Sequence, residues 1–292
     1  MVTIMKRKIA LFATFLIFVL TNIASASPKR IMSLTPVGTE ILFALGEGEH
    51  IVGVTRFCDY PKEAKSKPVL SNFAEINYET ILRAKVDLVV LQDMHEQACE
   101  GLEALGIKYV IVRQNSIRNI MKSILQIGDI CGKEKQARAL VAKMQNDISK
   151  AKKKSCAKGE KTVLICVSRD IAEDEIYNLY VAGSDVFYNE LLEIIGVKNI
   201  MCESPLHYPF LTIDSLMTIK PDVIFDLVGT AEKSFGRDIK QNEIRQNIKK
   251  TWQRCLRARN LKTKVVPLLG TKFLRPGPRI GEILRAMSEE LK

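Results

Sequence analysis

Histidine is scarce in this chain: residues 50, 95 and 207 are the only three in 292. A bare-metal centre needs several nitrogen or oxygen ligands converging on one point, and three scattered histidines do not announce one. The sequence also lacks G-x-S-x-G, the P-loop, H-E-x-x-H and G-x-G-x-x-G. It therefore offers no nucleophile elbow, no phosphate cradle, no zinc-protease helix and no dinucleotide fingerprint. Paired acids such as Asp174-Glu175 read as a solvated loop. The seven cysteines (58, 99, 131, 156, 166, 202 and 255) form no C-x-x-C, which removes the thioredoxin-type site and the zinc ribbon. Their odd number leaves at least one unpaired in an oxidising compartment, and the spacing fixes no pairing. No enzyme class is supported.

A dense basic tract is missing too. Net charge is +11, a balance compatible with nucleic-acid binding, but the cations are spread along the chain. The single dense run, Lys152-Lys153-Lys154, suits the C-terminal end of a helix, where cations meet the negative end of the dipole. The amino terminus argues for export instead. Lys6, Arg7 and Lys8 precede an apolar run from Ile9 to Leu20, broken only by Thr14, and Ala24-Ser25-Ala26 is an A-x-A site. Residues 1–26 are thus expected to be a cleaved secretory signal, the run being short for a span of ~20 residues. Ser27, not a cysteine, stands directly after Ala26, so the expectation is a soluble periplasmic protein, not a lipoprotein, with no nucleic-acid partner.

What the chain does have is a long amphipathic stretch near its middle. From about Gly132 to Lys154, apolar residues recur at Ala137, Leu140, Val141, Met144, Ile148 and Ala151, the three–four spacing of one helical face. About 22 residues at ~1.5 Å each make a rod of roughly 33 Å. Alone, this is an ordinary surface helix. Flanked on each side by alternating strand and helix patterns, it reads as a strut between two lobes. The strands expected before it are 30–34, 51–54, 86–91 and 107–112; those after it are 162–167, 221–226 and 264–268. The stretch 169–178 reads as a polar, acidic loop. Strands alternating with helices predict an α/β fold with mainly parallel sheets flanked by helices. The expected domains are 27–131, the connecting helix 132–155, and 156–292.

An internal repeat supports two similar lobes. Glu79-Thr-Ile-Leu-Arg-Ala-Lys-Val-Asp87 matches Asp214-Ser-Leu-Met-Thr-Ile-Lys-Pro-Asp222, and Glu40-Ile-Leu-Phe-Ala-Leu-Gly46 matches Glu190-Leu-Leu-Glu-Ile-Ile-Gly196, in the same order. Ligands of parallel α/β sheets sit beyond the carboxyl ends of the strands, so two such lobes facing each other make a cleft with one wall from each.

The run Arg30-Ile-Met-Ser-Leu-Thr-Pro-Val-Gly-Thr-Glu40 resembles a known family. So do Val52-Gly-Val-Thr-Arg-Phe-Cys-Asp-Tyr-Pro61, Lys85-Val-Asp-Leu-Val, Lys220-Pro-Asp-Val-Ile and Arg275-Pro-Gly-Pro-Arg279. The family is the periplasmic binding proteins of ABC importers for vitamin B12 and iron chelates. The resemblance covers nearly all of the chain after residue 26. It implies two α/β lobes joined by one long helix, a monomer, no intrinsic cofactor, and a corrinoid or iron-siderophore carried to a permease dimer in the inner membrane. Members that take vitamin B12 hold the corrinoid with aromatic side chains of both lobes. By motif, those positions fall here on Phe57, Phe73 and Tyr208, whereas Gln92 stands where a further tryptophan is expected. Phe273 and Arg275, before the terminal helix, are assigned to the same site. Arg56 and Arg275 suit carboxylate or catecholate groups. Core packing is the other reading of Phe57 and Phe73, and solvated loop positions that of the arginines.

Glu79 and Asp214 occupy the family's two permease-docking positions, one per lobe. Independently of that, an acid there favours a helix N-terminus by ~0.3–1 kcal/mol. Three alternatives stay open: haem held by His95, His207 or Tyr208, a bare metal ion, and an exported chaperone without a transporter.

Overall fold

The computed structural model describes residues 27–71, 76–154, 161–172, 175–229 and 241–291. The expected signal at 1–26, Phe73, Cys156 and Asp174 lie outside the described residues. The first lobe runs β1 (Ile31–Ser33), α1 (Pro36–Ala44), β2 (Ile51–Thr55), β3 (Val69–Ser71), α2 (Tyr78–Arg83), β4 (Leu88–Gln92), α3 (Cys99–Ala104), β5 (Lys108–Val112) and α4 (Ile117–Ile130). Helix α5 (Glu134–Lys154) follows. The second lobe runs β6 (Thr162–Ala172), β7 (Glu175–Val181), α6 (Phe187–Ile194), β8 (Lys198–Asn199), β9 (Phe210–Thr212), α7 (Leu216–Ile219), β10 (Val223–Val228), α8 (Gln241–Ala258), β11 (Lys264–Leu269) and α9 (Ile280–Glu290). Among the described residues, no helix is long and apolar enough to cross a membrane.

The first sheet is parallel throughout, in the order β3-β2-β1-β4-β5. The second has the order β11-β10-β6-β7-β9, with β8 beside β6. Here β10 pairs in parallel with β6 and β11, whereas β6–β7 and β7–β9 are antiparallel. The stretch expected as a loop at 169–178 is therefore largely the β6–β7 hairpin. A register shift sets Asp170 opposite Asn178 but Ile171 opposite Ile176, leaving Tyr177 as an extra residue. The bulge lets Ile176 and Leu179 both face inward although they are three apart, so the strand does not show period-two alternation.

Three cores hold the molecule. One lies within the first lobe around Met32, Ile81, Val89 and Leu102, and one within the second around Leu164, Ile224, Ile248 and Trp252. The third takes in both lobes and α5 together: Val37, Ile124 and Ile127 share it with Val163, Phe225, Leu191 and Met287. Ala137 and Met144 of α5 are buried in it, with Leu140, Val141, Ile148 and Ala151 packed against it, so the face read from the sequence is the face that packs. The approach is close: a Cβ on Gly128 of α4 would lie 2.4 Å from that of Ala137.

The repeat has a structural basis. Lys85 and Lys220 both adopt the left-handed conformation, at φ 51° and 48°, turning the chain from a short helix into the next strand. Asp87 then accepts from the backbone N–H groups of Lys29 and Arg30 at 2.9 and 3.1 Å. Asp222 accepts from the Thr162 N–H and hydroxyl, both at 2.8 Å. Each aspartate ties down the start of its neighbouring central strand. The glycines expected to stop α1 and α6, Gly46 and Gly196, sit at φ 83° and 77°, a region that only glycine enters without strain.

The six described cysteines are free thiols, five of them buried. Burial pushes the Cys131 thiol up to about 12 and Cys166 well above its ordinary value, so these two act as packing and not as nucleophiles.

Candidate ligand-binding cleft

The carboxyl ends of strands from both sheets converge on a divided cleft. The larger chamber, about 700 Å³, is lined from the first lobe by Thr55 at the end of β2 and by Arg56, Phe57, Asp59, Tyr60, Lys65 and Lys67. From the second lobe come Gly229, Leu269, Gly270 and Arg275. The second chamber, about 510 Å³, is lined by Gln92 and Val112 at the ends of β4 and β5, by Met94 and Gln114, and opposite them by Phe187, Tyr188, His207 and Tyr208. The segment 274–276 divides them, since Arg275 lines the first chamber while Leu274 and Pro276 line the second.

Ionic contacts across the lobes fix this divider. Arg275 pairs with Asp59 of the first lobe, their side chains 13% and 34% exposed. Four residues on, Arg279 meets Glu40 through Nε–Oε2 at 2.8 Å and a second nitrogen–Oε1 contact at 2.5 Å. The Tyr60 ring lies against that guanidinium, 3.8 Å from its central carbon, an attractive arrangement for a cation. Burial raises the Glu40 carboxyl above its ordinary value, opposed by the bond and charge of Arg279. Glu190, the repeat partner of Glu40, also reaches across: it accepts from the backbone N–H of Ile117 at 3.2 Å, at the start of α4. Corresponding glutamates of the two halves thus hold corresponding helix starts of the opposite lobe.

The loop 56–61 stands at the mouth because β2 ends at Thr55, where the Cys58 N–H bonds back to the Thr55 carbonyl at 3.0 Å. That turn buries Cys58 and presents Arg56 and Phe57 outward. The Arg56 guanidinium covers the Phe57 ring at 4.8 Å. An aromatic surface beside clustered cations suits a flat body carrying polar or anionic groups.

Two α/β lobes, a helix between them in the chain, and a cleft at the strand ends agree with what the motifs implied, and the profile of a family described as periplasmic binding protein matches residues 31–251. The chain belongs to the periplasmic binding protein family. An uncharacterised ABC transporter substrate-binding lipoprotein of Bacillus subtilis, YvrC, is 34% identical over 225 residues, 74% of this chain and 69% of that protein. A vitamin B12-binding protein of Photorhabdus laumondii is 24% identical over 257 residues, 87% of this chain and 85% of the relative. A solved periplasmic heme-binding protein, RhuT from Roseiflexus, superposes with a TM-score of 0.71 at 21% identity, covering 91% of this chain and 97% of its own. One expectation is corrected here. The relative from Bacillus subtilis is a lipoprotein, so the missing cysteine after Ala26 does not exclude a lipid tether, and the lipid-free assignment is withdrawn.

Within this periplasmic binding protein, the expected site residues are partly brought together. Arg56, Phe57 and Arg275 line the larger chamber and Tyr208 the smaller. Phe73 lies outside the described residues. Phe273 is not brought to the cleft: it is 3% exposed in the shared core, and its carbonyl accepts from the Tyr188 hydroxyl at 2.8 Å. The 3-10 turn Thr271–Leu274 points it inward and leaves Leu274 exposed.

Of the histidines, His207 lines the smaller chamber, with Nδ1 3.1 Å from the Ser184 carbonyl oxygen. His95 is buried and accepts from the Gln92 N–H at 3.3 Å, and His50 contacts Glu47. No group of three or more metal-ligating side chains occurs among the described residues. Tyr60, Lys65, Lys67 and Met94 were not singled out from the sequence. Tyr60 stood inside the Asp-Tyr-Pro motif, whereas the two lysines look like ordinary surface positions.

Glu79 and Asp214 are exposed, one per lobe. Each has an arginine from its own lobe: Arg83 at 2.5 Å and Arg259 at 2.7 Å. Glu79 lies in the first turn of α2, whose N-cap is Asn77, accepting from the Thr80 N–H. Asp214 sits in the 3-10 turn Ile213–Ser215 ahead of α7.

Proposed function

We propose that this protein is the solute-binding component of an ABC importer and captures a metal chelate of corrinoid, haem or ferric-siderophore size between its lobes. The observation that carries the reading is the divided cleft, about 700 and 510 Å³, walled by both lobes at the carboxyl ends of their strands. Phe57 and Tyr60 in one chamber and Tyr208 in the other supply apolar faces for such a body. Its relatives carry names that include ABC transporter substrate binding and vitamin B12 binding, which supports the class.

Substrate-binding proteins of ABC transporters work with membrane permeases. Glu79 and Asp214, equivalent in the repeat and exposed on opposite lobes, are the residues we assign to permease docking, one for each subunit of a symmetric dimer. Helix α5, lying between the lobes in sequence and packed into their shared core, is the strut that keeps their separation constant. The protein acts outside the cytoplasm and performs no chemistry on the ligand.

Fluorescence titration with cyanocobalamin, haemin, a neutral ferric trishydroxamate and an anionic ferric tris-catecholate tests the reading. Saturable one-to-one binding of at least one, without turnover, is the expected result. A protein that binds none of them at micromolar concentration is not this kind of carrier.

A further inference from the structure

The charge lining the larger chamber is uneven. The larger chamber gathers Arg56, Lys65, Lys67 and Arg275, and Asp59 is the one acidic residue among the described residues that line it. Asp59 comes from the loop after β2 and Arg275 from the segment before α9, 216 residues apart, and their ion pair joins the two lobes at the wall of this chamber. Arg275 is largely buried, at 13% side-chain exposure, so its charge requires an anion beside it at all times. Asp59 is the more exposed partner, at 34%, on the loop that follows β2.

We propose that Asp59 is a stand-in for an anionic group of the ligand: a carboxylate or phenolate on the chelate displaces it from Arg275 and takes its place in the larger chamber. The proposal rests on the carrier reading above and narrows it to anionic chelates. A neutral ligand leaves Arg275 on Asp59 and gains nothing from the guanidinium. An anionic ligand gives Arg275 a replacement partner and gains the remaining cations of the chamber. Asp59 then acts as a competitor whose occupancy lowers apparent affinity for every anionic ligand, because only the fraction with Arg275 released is competent to bind.

The test compares ligands matched in shape and differing in charge: haemin with its dimethyl ester, and an anionic ferric tris-catecholate with a neutral ferric trishydroxamate. Titrations use the wild type, Asp59→Asn and Asp59→Glu, with melting curves to confirm that each is folded. In at least one pair, the anionic member is expected to bind wild type tenfold or more tightly than the neutral one. Asp59→Asn should tighten the anionic member further, leave the neutral one unchanged and steepen the salt dependence, while Asp59→Glu behaves as wild type. Equal affinities within both pairs, tighter binding of the neutral members, or an Asp59→Asn variant with unaltered preference overturns the proposal and leaves the carrier reading standing. Failure to bind any of the four, together with cyanocobalamin, removes the carrier reading and this proposal with it.

Discussion

Removing the carboxylate of Glu40 should be among the most damaging single changes at the lobe interface. The Glu40 and Arg279 side chains are 2% and 12% exposed. Burial raises the Glu40 carboxyl above its ordinary 4.5 despite the arginine. A raised acid contributes stability that is fully present below 4.5 and is lost as pH rises through the folded value. The pair is therefore no net source of stability at neutral pH, and its effect appears when one partner is left alone. Glu40→Ala strands a buried guanidinium, at a cost of about 3–5 kcal/mol, which for a chain of this size lowers Tm by roughly 6–20 °C.

The double variant Glu40→Leu with Arg279→Met removes both charges and should recover most of that loss. What remains is about 1 kcal/mol for the cation over Tyr60. The exposed Glu79–Arg83 pair is the control: Glu79→Ala should cost less than about 1 kcal/mol. Melting curves of the three variants at pH 7 decide the matter. A Glu40→Ala shift no larger than that of Glu79→Ala, or a double variant as unstable as the single, would refute the argument.

Four further outcomes are expected. Tyr208→Ala should weaken ligand binding at least tenfold with the fold intact, the usual scale for a truncated aromatic contact, as read by titration; unchanged affinity would take Tyr208 out of the site. Glu79→Ala with Asp214→Ala should abolish uptake and salt-sensitive docking to the permease while ligand affinity stays within twofold; normal uptake would leave both acids only a local role. Bonds from Thr162 hold the Asp222 carboxyl below its ordinary 3.8, so its stabilising effect is present above 3.8 and lost as pH falls through the lower folded value. Asp222→Asn should accordingly differ from wild type in Tm at pH 6 and converge with it in strong acid. Small-angle scattering should show almost no change in radius of gyration on ligand binding, because α5 resists hinging; a large fall would count against the strut.

The parts of the fold legible in the sequence were those set by local rules. The apolar stripe of α5 follows the helical period, Gly46 and Gly196 stop helices because only glycine turns there freely, and Lys-x-Asp recurs because each copy performs the same turn and tie. The β6–β7 hairpin was illegible because the bulge at Tyr177 breaks its alternation and the stretch is rich in polar residues. Phe273 misled because a single turn decides whether it or Leu274 faces the core, and composition does not distinguish the two. The cross-lobe pairs Glu40–Arg279 and Asp59–Arg275 join positions more than 200 residues apart, and no spacing rule reaches that far. Arg56, Phe57 and Tyr208 were singled out as candidates through motif resemblance, and that they line the two chambers is visible only with both lobes in place.

Each sheet is assembled from one unbroken stretch of chain, the first from residues 31–112 and the second from 162–269. Synthesis from the amino terminus therefore delivers everything the first lobe needs for its own sheet and its private core before the second lobe exists. The shared core is different, because Val37, Ile124, Ile127, Ala137 and Met144 find their full set of neighbours only once residues up to Met287 have arrived. A nascent chain paused near residue 160 would carry a finished sheet with one oily flank uncovered. That makes the half-built molecule, more than the unfolded one, the species that chaperones must shield and proteases would find first.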